Sequence, residues 1–368
     1  MELSVICFTR KGYEKADILR RVGVYGVDIR VFCKCEALKE ECIDYTPESL
    51  EEWAFKCVNS REAMLFIGAA GIAVRTIAPY LKSKLTDSPV IVMDDAARFV
   101  IPLISGHVGG ANELAAKIAA AFGAECVITT STDVNNVFAI DNFAMKNHLG
   151  IINKDGIAKV SAKLLDGEAI TIGIDDGIEI DKESYDAFLK SGKGNVRIVE
   201  KDFFGKQDAC LDEECYSQKP DVWIGDPDER SDALLYLYPK IIALGIGCKK
   251  GKTAEEISKF VFDRLSCAGI ARDDIFCAAS IDVKKDEEGL VSFAAKNRFE
   301  FATFSAEELE SIEGNFAESD FVRNTVGTGS VAERAAVAAS GNGELVMRKQ
   351  AENGVTVAAA KRKIRLRF

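Results

Sequence analysis

The chain has 368 residues, 47 Lys and Arg against 58 Asp and Glu, and a net charge of -11. At about 100 to 200 residues per domain this is room for two or three domains with real cores, and the acidic balance argues against nucleic acid as the partner. Eleven cysteines without a CxxC pair, and only two histidines, His107 and His148, predict reduced thiols and no protein-built metal site. The opening "MELSVICFTRKGYEK" carries no cationic, apolar leader and no run approaches a membrane span, so a soluble protein of the cytoplasm, with no membrane partner, is expected.

In chain order, short apolar runs alternate with amphipathic segments, the pattern of βα units on a mostly parallel sheet. Strands are predicted at Leu3 to Phe8, Val27 to Phe32, Met64 to Gly68, Pro89 to Asp94, Phe99 to Ser105 and Cys126 to Thr130. Helices are predicted at Lys11 to Val24, Pro47 to Asn59, Gly71 to Leu81 and Asn112 to Phe122. From Asn142 to Arg230 the periodicity weakens, although "AITIGI" and "DVWIG" still read as strands, and the acidic "GDPDERSD" (Gly225 to Asp232) reads as a linker. Proteolysis is then expected between Pro220 and Pro239, leaving a folded C-terminal fragment. "KIIALGIGCKKGKTAEEISKFVFDRL" starts a new unit, with Thr253 and Glu256 spaced for a capping box, and Ser330 and Glu333 repeat that spacing. Near the end an Asn-Gly turn predicts a hairpin, and the terminal "KRKIRLRF" reads as a solvated edge strand with alternating charge. The expected fold is α/β: a mostly parallel sheet in an N-terminal domain (1–141), a middle region (142–235) and a separate α/β C-terminal domain (236–368).

The most informative stretch is "SGHVGGAN", Ser105 to Asn112, between a strand and a helix. Gly106, Gly109 and Gly110 lack Cβ atoms, Asn112 suits the helix N-cap, and the helix dipole points at the turn, so an anion site is expected there. The other reading is that the glycines only permit a tight turn. "CVITTSTD" ends in Thr129, Thr130, Ser131, Thr132 and Asp133, and "GAAGIAVRTIAP" opens a helix carrying Arg75, a carboxylate clamp by its fork geometry. These strand ends are expected to share one surface.

In this combination "GIAVRTIAPYLKSKLTD", "ISGHVGGANELA", "VITTSTD", "LGIGCKKG", "SIDVKKDEEGL", "VGTGSVAERAAVAAS" and "VTVAAAKRKI" resemble the CbiG family of anaerobic cobalamin biosynthesis, the cobalt-precorrin-5A hydrolases. The resemblance runs in order from about residue 64 to the C-terminus and is weaker over the first sixty residues and from Asn142 to Arg230. It implies a hydrolase that opens the lactone joining the ring A acetate of a cobalt-containing tetrapyrrole to its methylated C20 carbon, releasing that fragment as acetaldehyde. Cobalt would then belong to the substrate, with no resident cofactor, and contacts with neighbouring enzymes of the corrin pathway are expected. Laid over these residues, the chemistry makes His107 the base, Gly109 and Gly110 the oxyanion donors, and Asp133 an orienting or proton-transferring group. The rate should then decline as pH drops through the His107 pKa. Arg75, Lys249, Lys250 and Lys252 are candidates to hold substrate carboxylates. Cys248, beside two lysines but with no nearby histidine, reads as an ordinary thiol. A precorrin methyltransferase and a non-catalytic corrinoid carrier are the alternatives.

Overall fold

The computed structural model describes residues 2–46, 48–83, 87–107, 109–193, 196–200, 219–226, 232–317 and 329–368. It divides into two compact units, Met1–Asn142 and Phe143–Phe368. Among the described residues, no helix is long and apolar enough to cross a membrane.

The first unit is one six-stranded sheet with helices on both faces. Its elements run β1 (Glu2–Cys7), α1 (Arg10–Val22), β2 (Asp28–Cys33), α2 (Leu50–Ser60), β3 (Ala63–Ile67), α3 (Ala70–Ile77), β4 (Val90–Met93), β5 (Phe99–Ile104), α4 (Ala111–Phe122) and β6 (Glu125–Cys126). The strand order is β2-β1-β3-β4-β5-β6. The apolar runs of β1 and β3 lack alternation because both faces are covered. Leu3, Val5, Leu65 and Ile67 pack with Leu19 of α1 and Ile118 of α4, whereas Ile6, Met64 and Phe66 pack with Trp53 of α2 and Ile77 of α3. The indole of Trp53 meets the Phe66 ring edge-on, centroids 5.3 Å apart.

One reversal governs where functional groups can meet. β1 to β4 are mutually parallel, but β5 runs antiparallel to β4 and β6 follows β5. The connection Asp94 to Arg98 is too short for a parallel crossover, which needs a dozen or more residues. Asp94 Oδ1 closes it by accepting the Arg98 and Phe99 amides, each at 2.8 Å, and Ala97 takes φ 52°. Ile104 at the end of β5 therefore pairs with Val90 at the start of β4, while Ile67 at the end of β3 pairs with Met93 at its finish. The turn after β5 and the turn after β3 lie at opposite ends of the strands, separated by roughly 10 Å of strand.

The second unit holds two five-stranded sheets. The first is built from β7 (Leu149–Ile151), β8 (Ile170–Ile174), β10 (Val196–Glu200), β11 (Val222–Ile224) and β12 (Leu235–Pro239), in the order β10-β8-β11-β12-β7, with helices α7 (Asp155–Leu165) and α8 (Lys182–Lys190). The second has the order β15-β14-β13-β17-β16: β13 (Ile242–Cys248), α9 (Ala254–Cys267), β14 (Ile275–Ile281), α10 (Glu288–Asn297), β15 (Glu300–Phe304), β16 (Glu344–Glu352) and β17 (Val355–Lys361). The Asn353-Gly354 hairpin forms with both residues at positive φ, 49° and 78°, and Thr253 and Glu256 exchange both capping-box bonds. Ser330 does not cap with its side chain, because Glu333 is fully buried and instead accepts the amides of Ala317 (2.6 Å) and Lys349 (2.9 Å).

Two expectations about this half change. The acidic stretch Gly225 to Asp232 joins β11 to its parallel neighbour β12 within one sheet, so it is no interdomain linker; its residues 227–231 lie outside those described. The basic C-terminus is a strap and not a solvated edge. β18 (Ile364–Leu366) pairs in parallel with β9 (Ile178–Ile180), and Arg362 donates to Lys240 O at 2.9 Å and Asn147 O at 2.7 Å with its guanidinium over the Phe276 ring. The chain end thus returns to the middle region, where β18 and β9 form a separate two-stranded sheet.

Candidate functional site

The turn after β5 folds back on itself before it opens to anything else. Ser105 sits at φ 57° and its hydroxyl donates to Asp87 O at 2.7 Å. The Gly110 amide donates to His107 O (3.0 Å), Ala111 to Ser105 O (3.1 Å) and Asn112 to Gly106 O (3.0 Å). The first amides of α4 are consumed by the turn's own carbonyls, so the expected anion cradle at this helix start is filled by the chain, and Gly110 has no N–H left for an oxyanion. The glycines answer to space: a Cβ on Gly106 would fall 2.7 Å from Asn112 Oδ1, one on Gly109 2.4 Å from Ser105 Cβ, and Gly110 takes φ 80°. Gly110, not Asn112, occupies the N-cap position. Val108 lies outside the described residues.

The turn's product is the placement of His107 against two carboxylates. After β6 the chain enters two short helices, α5 (Ser131–Val134) and α6 (Ile140–Lys146). The first brings Asp133 and Thr132, the second Asp141. His107 Nε2 donates to Asp133 Oδ2 at 2.8 Å with Thr132 Oγ1 at 3.3 Å, while Nδ1 stands 3.5 Å from Asp141 Oδ1. Asn112, the second residue of α4, donates from Nδ2 to the same Asp133 oxygen at 2.6 Å and to Thr130 Oγ1 at 3.1 Å. The imidazole and Asp141 side chains are only 10% and 11% exposed, whereas Asp133 is 37% exposed. Asp133 is thus the member of the cluster that meets solvent, fixed through one oxygen.

This surrounding holds His107 protonated to higher pH than a free imidazole. The hydrogen-bonding Asp141 is the largest cause, burial opposes it, and the charges of Asp141 and then Asp133 add to the rise. Carboxylates facing both nitrogens favour the doubly protonated imidazolium, and in that form the ring has no lone pair with which to take a proton from water. It is arranged to donate. The arrangement suits His107 to give a proton, where a base was expected, and leaves Asp133 as the group of the cluster open to solvent.

The other sequence candidates separate. Thr129 is exposed, and Thr130 joins the cluster through Asn112. Arg75 lies on α3, which follows β3, with its guanidinium folded over Gly71, so the turns expected to share one surface divide between opposite ends of the strands. In the second unit Lys250 and Lys252 line a cavity of about 790 Å³ with Lys284, Lys296, Glu287 and Glu288. Most of its positive charge is already matched: Lys252 pairs with Glu256 (2.7 Å), Lys284 with Glu287 (2.7 Å) and Lys296 with Glu255 (2.6 Å). Lys250 is exposed and its charge acts on Glu287, and Lys249 is exposed with its alkyl stem running beside Gly354. Burial pushes the Cys248 thiol up, against the pull of Lys284 and Lys252, so it is no activated nucleophile. Thr132 and Asp141 escaped selection from the sequence. The first is one of five adjacent polar residues, and the second opens a helix where an Asp ordinarily reads as a capping residue.

Two family models match the chain: the N-terminal part of cobalamin synthesis G over residues 52–133 and its C-terminal part over residues 242–360. The chain is 30% identical to the cobalt-precorrin-5A hydrolase of Priestia megaterium, covering 98% of this chain and 94% of that one. It is 31% identical to the cobalt-precorrin-5A hydrolase of Salmonella typhimurium over 88% of each chain. A shorter match of 121 residues, 30% identical, relates 32% of this chain to 79% of the protein CobE of a Sinorhizobium species.

Proposed function

Since the chain belongs to the cobalamin synthesis G family, we propose that it hydrolyses cobalt-precorrin-5A, opening the ring A lactone and releasing the C20 fragment as acetaldehyde to leave cobalt-precorrin-5B. Full-length likeness to two hydrolases of that name carries the reading, and the carboxylate–imidazole cluster supplies groups suited to it. Cobalt enters with the substrate.

The exposed Asp133 carboxylate takes a proton from water as the oxygen adds to the lactone carbonyl, and Asn112 and His107 keep that carboxylate oriented. As the tetrahedral adduct collapses, the carbonyl reforms, the bond to the C20 oxygen breaks, and His107 hands its Nε2 proton to that oxygen. The ring A acetate is then free and C20 carries a hydroxyl. Loss of the hydroxyl proton makes the C20 carbonyl while the bond from C20 to the macrocycle breaks; its electrons stay on the ring, which takes up a proton. One water is consumed and one acetaldehyde leaves.

Incubating the purified protein with cobalt-precorrin-5A in the absence of a methyl donor is expected to yield acetaldehyde and cobalt-precorrin-5B in equal amounts. Turnover that requires S-adenosylmethionine would assign a methyltransferase, and tight binding without turnover a carrier. Lys249 and Lys250 remain candidates to hold substrate carboxylates. Reversing both to Glu should weaken substrate affinity, and wild-type affinity should fall as salt rises, because screening acts on exposed pairs. Affinity indifferent to charge reversal removes this loop from the site.

A further inference from the structure

We propose that Asp141 is a positioning residue: from behind the imidazole it keeps His107 oriented toward Asp133 and in its proton-donating form. The proposal deepens the hydrolase reading and rests on it for the use to which the proton is put.

The geometry is asymmetric in a way that separates the two carboxylates. Asp133 touches Nε2 from the solvent side and is 37% exposed; Asp141 faces Nδ1 from the interior and is 11% exposed. A substrate can reach the first and not the second. Carboxylate partners on opposite nitrogens also fix the ring plane, since a flip about the Cβ–Cγ bond would turn carbon atoms toward both oxygens. The charged groups facing the ring are Asp133 from α5 and Asp141 from α6; α4 contributes the neutral Asn112, and α5 the neutral Thr132. When His107 gives up its proton at Nε2, the two carboxylates face each other across a neutral ring, and that unfavourable arrangement draws a proton back and resets the donor. Asp141 Oδ1 also accepts the Asn142 amide at 2.9 Å, a bond that an asparagine oxygen can keep.

Asp141→Asn therefore removes the charge while sparing the start of α6. The chain's two histidines make the readout direct, because their titrations are expected to separate: His107 is raised, and His148 is lowered by burial and then by Arg362. In ligand-free protein followed by nitrogen-edited NMR, Asp141→Asn should move the His107 midpoint down toward the ordinary imidazole range and leave His148 in place. In turnover, kcat should fall with KM little changed, and the alkaline limb of the profile should move to lower pH. Asp141→Glu should restore the limb in part. An unchanged His107 midpoint in Asp141→Asn overturns the proposal. If that variant does not fold, a wild-type His107 midpoint at or below the ordinary value overturns it equally. The titration needs no substrate, so a wild type that makes no acetaldehyde sinks the hydrolase reading while the link between Asp141 and His107 is judged separately.

Discussion

Exchanging His107 for asparagine should lower acetaldehyde release by about a hundredfold to ten-thousandfold, the range usual for loss of an acid–base group, while corrinoid binding stays close to normal. The bonds that shape the turn are main-chain bonds, from Gly110 N to His107 O and from Ala111 N to Ser105 O, and they do not depend on the imidazole. Asparagine can still meet Asp133 but cannot carry a proton to the departing C20 oxygen. The sign of the pH dependence separates donor from base. His107 is held protonated above its ordinary range, so the wild-type rate should fall as pH rises through that raised value and the donor is lost. A base would give the opposite limb, with the rate falling as pH drops. Single-turnover rates across pH, with melting temperatures as the folding control, measure this. Near-normal turnover by the variant removes His107 from the chemistry. Lost binding in a folded variant makes the turn a substrate clamp.

Leu366→Ala is expected to destabilise the second unit by about 2–5 kcal/mol, the cost of emptying a buried leucine site. Leu366 is 1% exposed and sits in β18, whose pairing with β9 sets Ile364 opposite Ile178 and Leu366 opposite Ile180. The residues beyond it add to the same anchor. Asn147 Oδ1 accepts the Arg367 amide at 2.7 Å, and the Phe368 ring lies 4.7 Å from Phe143 and 4.9 Å from Tyr185. For a unit of this size each kcal/mol moves the melting temperature by about 2–4 °C, so the loss should be visible by calorimetry. The same strap alters the outcome of proteolysis. A cut between Pro220 and Pro239 separates β18 from its partner β9, and the C-terminal fragment should then show exposed apolar surface and a broadened transition. A fragment that melts as sharply as the intact unit would show that the strap contributes little.

How far the sequence reaches can be seen in single elements. Local rules carried the strands and helices of the first unit to within a few residues, the Thr253 capping box and the Asn353-Gly354 hairpin, because each depends on side chains within one to four positions of one another. The reversal between β4 and β5 was also written in the chain, in a connection too short to cross over; reading the alternation of elements without measuring the loops hid it. The strap was hidden for another reason. Alternating charge in "KRKIRLRF" describes a strand with one exposed side equally well whether its partner is water or a distant β9, and nothing local distinguishes them.

By itself the sequence determined the α/β class, the family, the tight glycine turn and the identity of His107 and Asp133 as the residues to watch. Only the tertiary structure decided which groups those residues meet. His107, Asp133 and Asp141 are 26 and 34 positions apart from the histidine, and their meeting requires that β6 lie beside β5 and that α5 and α6 return over the turn. A proton affinity is set by charge and burial in space, so a histidine that reads as a base in one dimension holds its proton to higher pH once two carboxylates close around it. The loop that leads to Arg75 shows the converse: strand direction reverses at a turn of a few residues and sends chemically similar loops to opposite ends of the strands of one sheet.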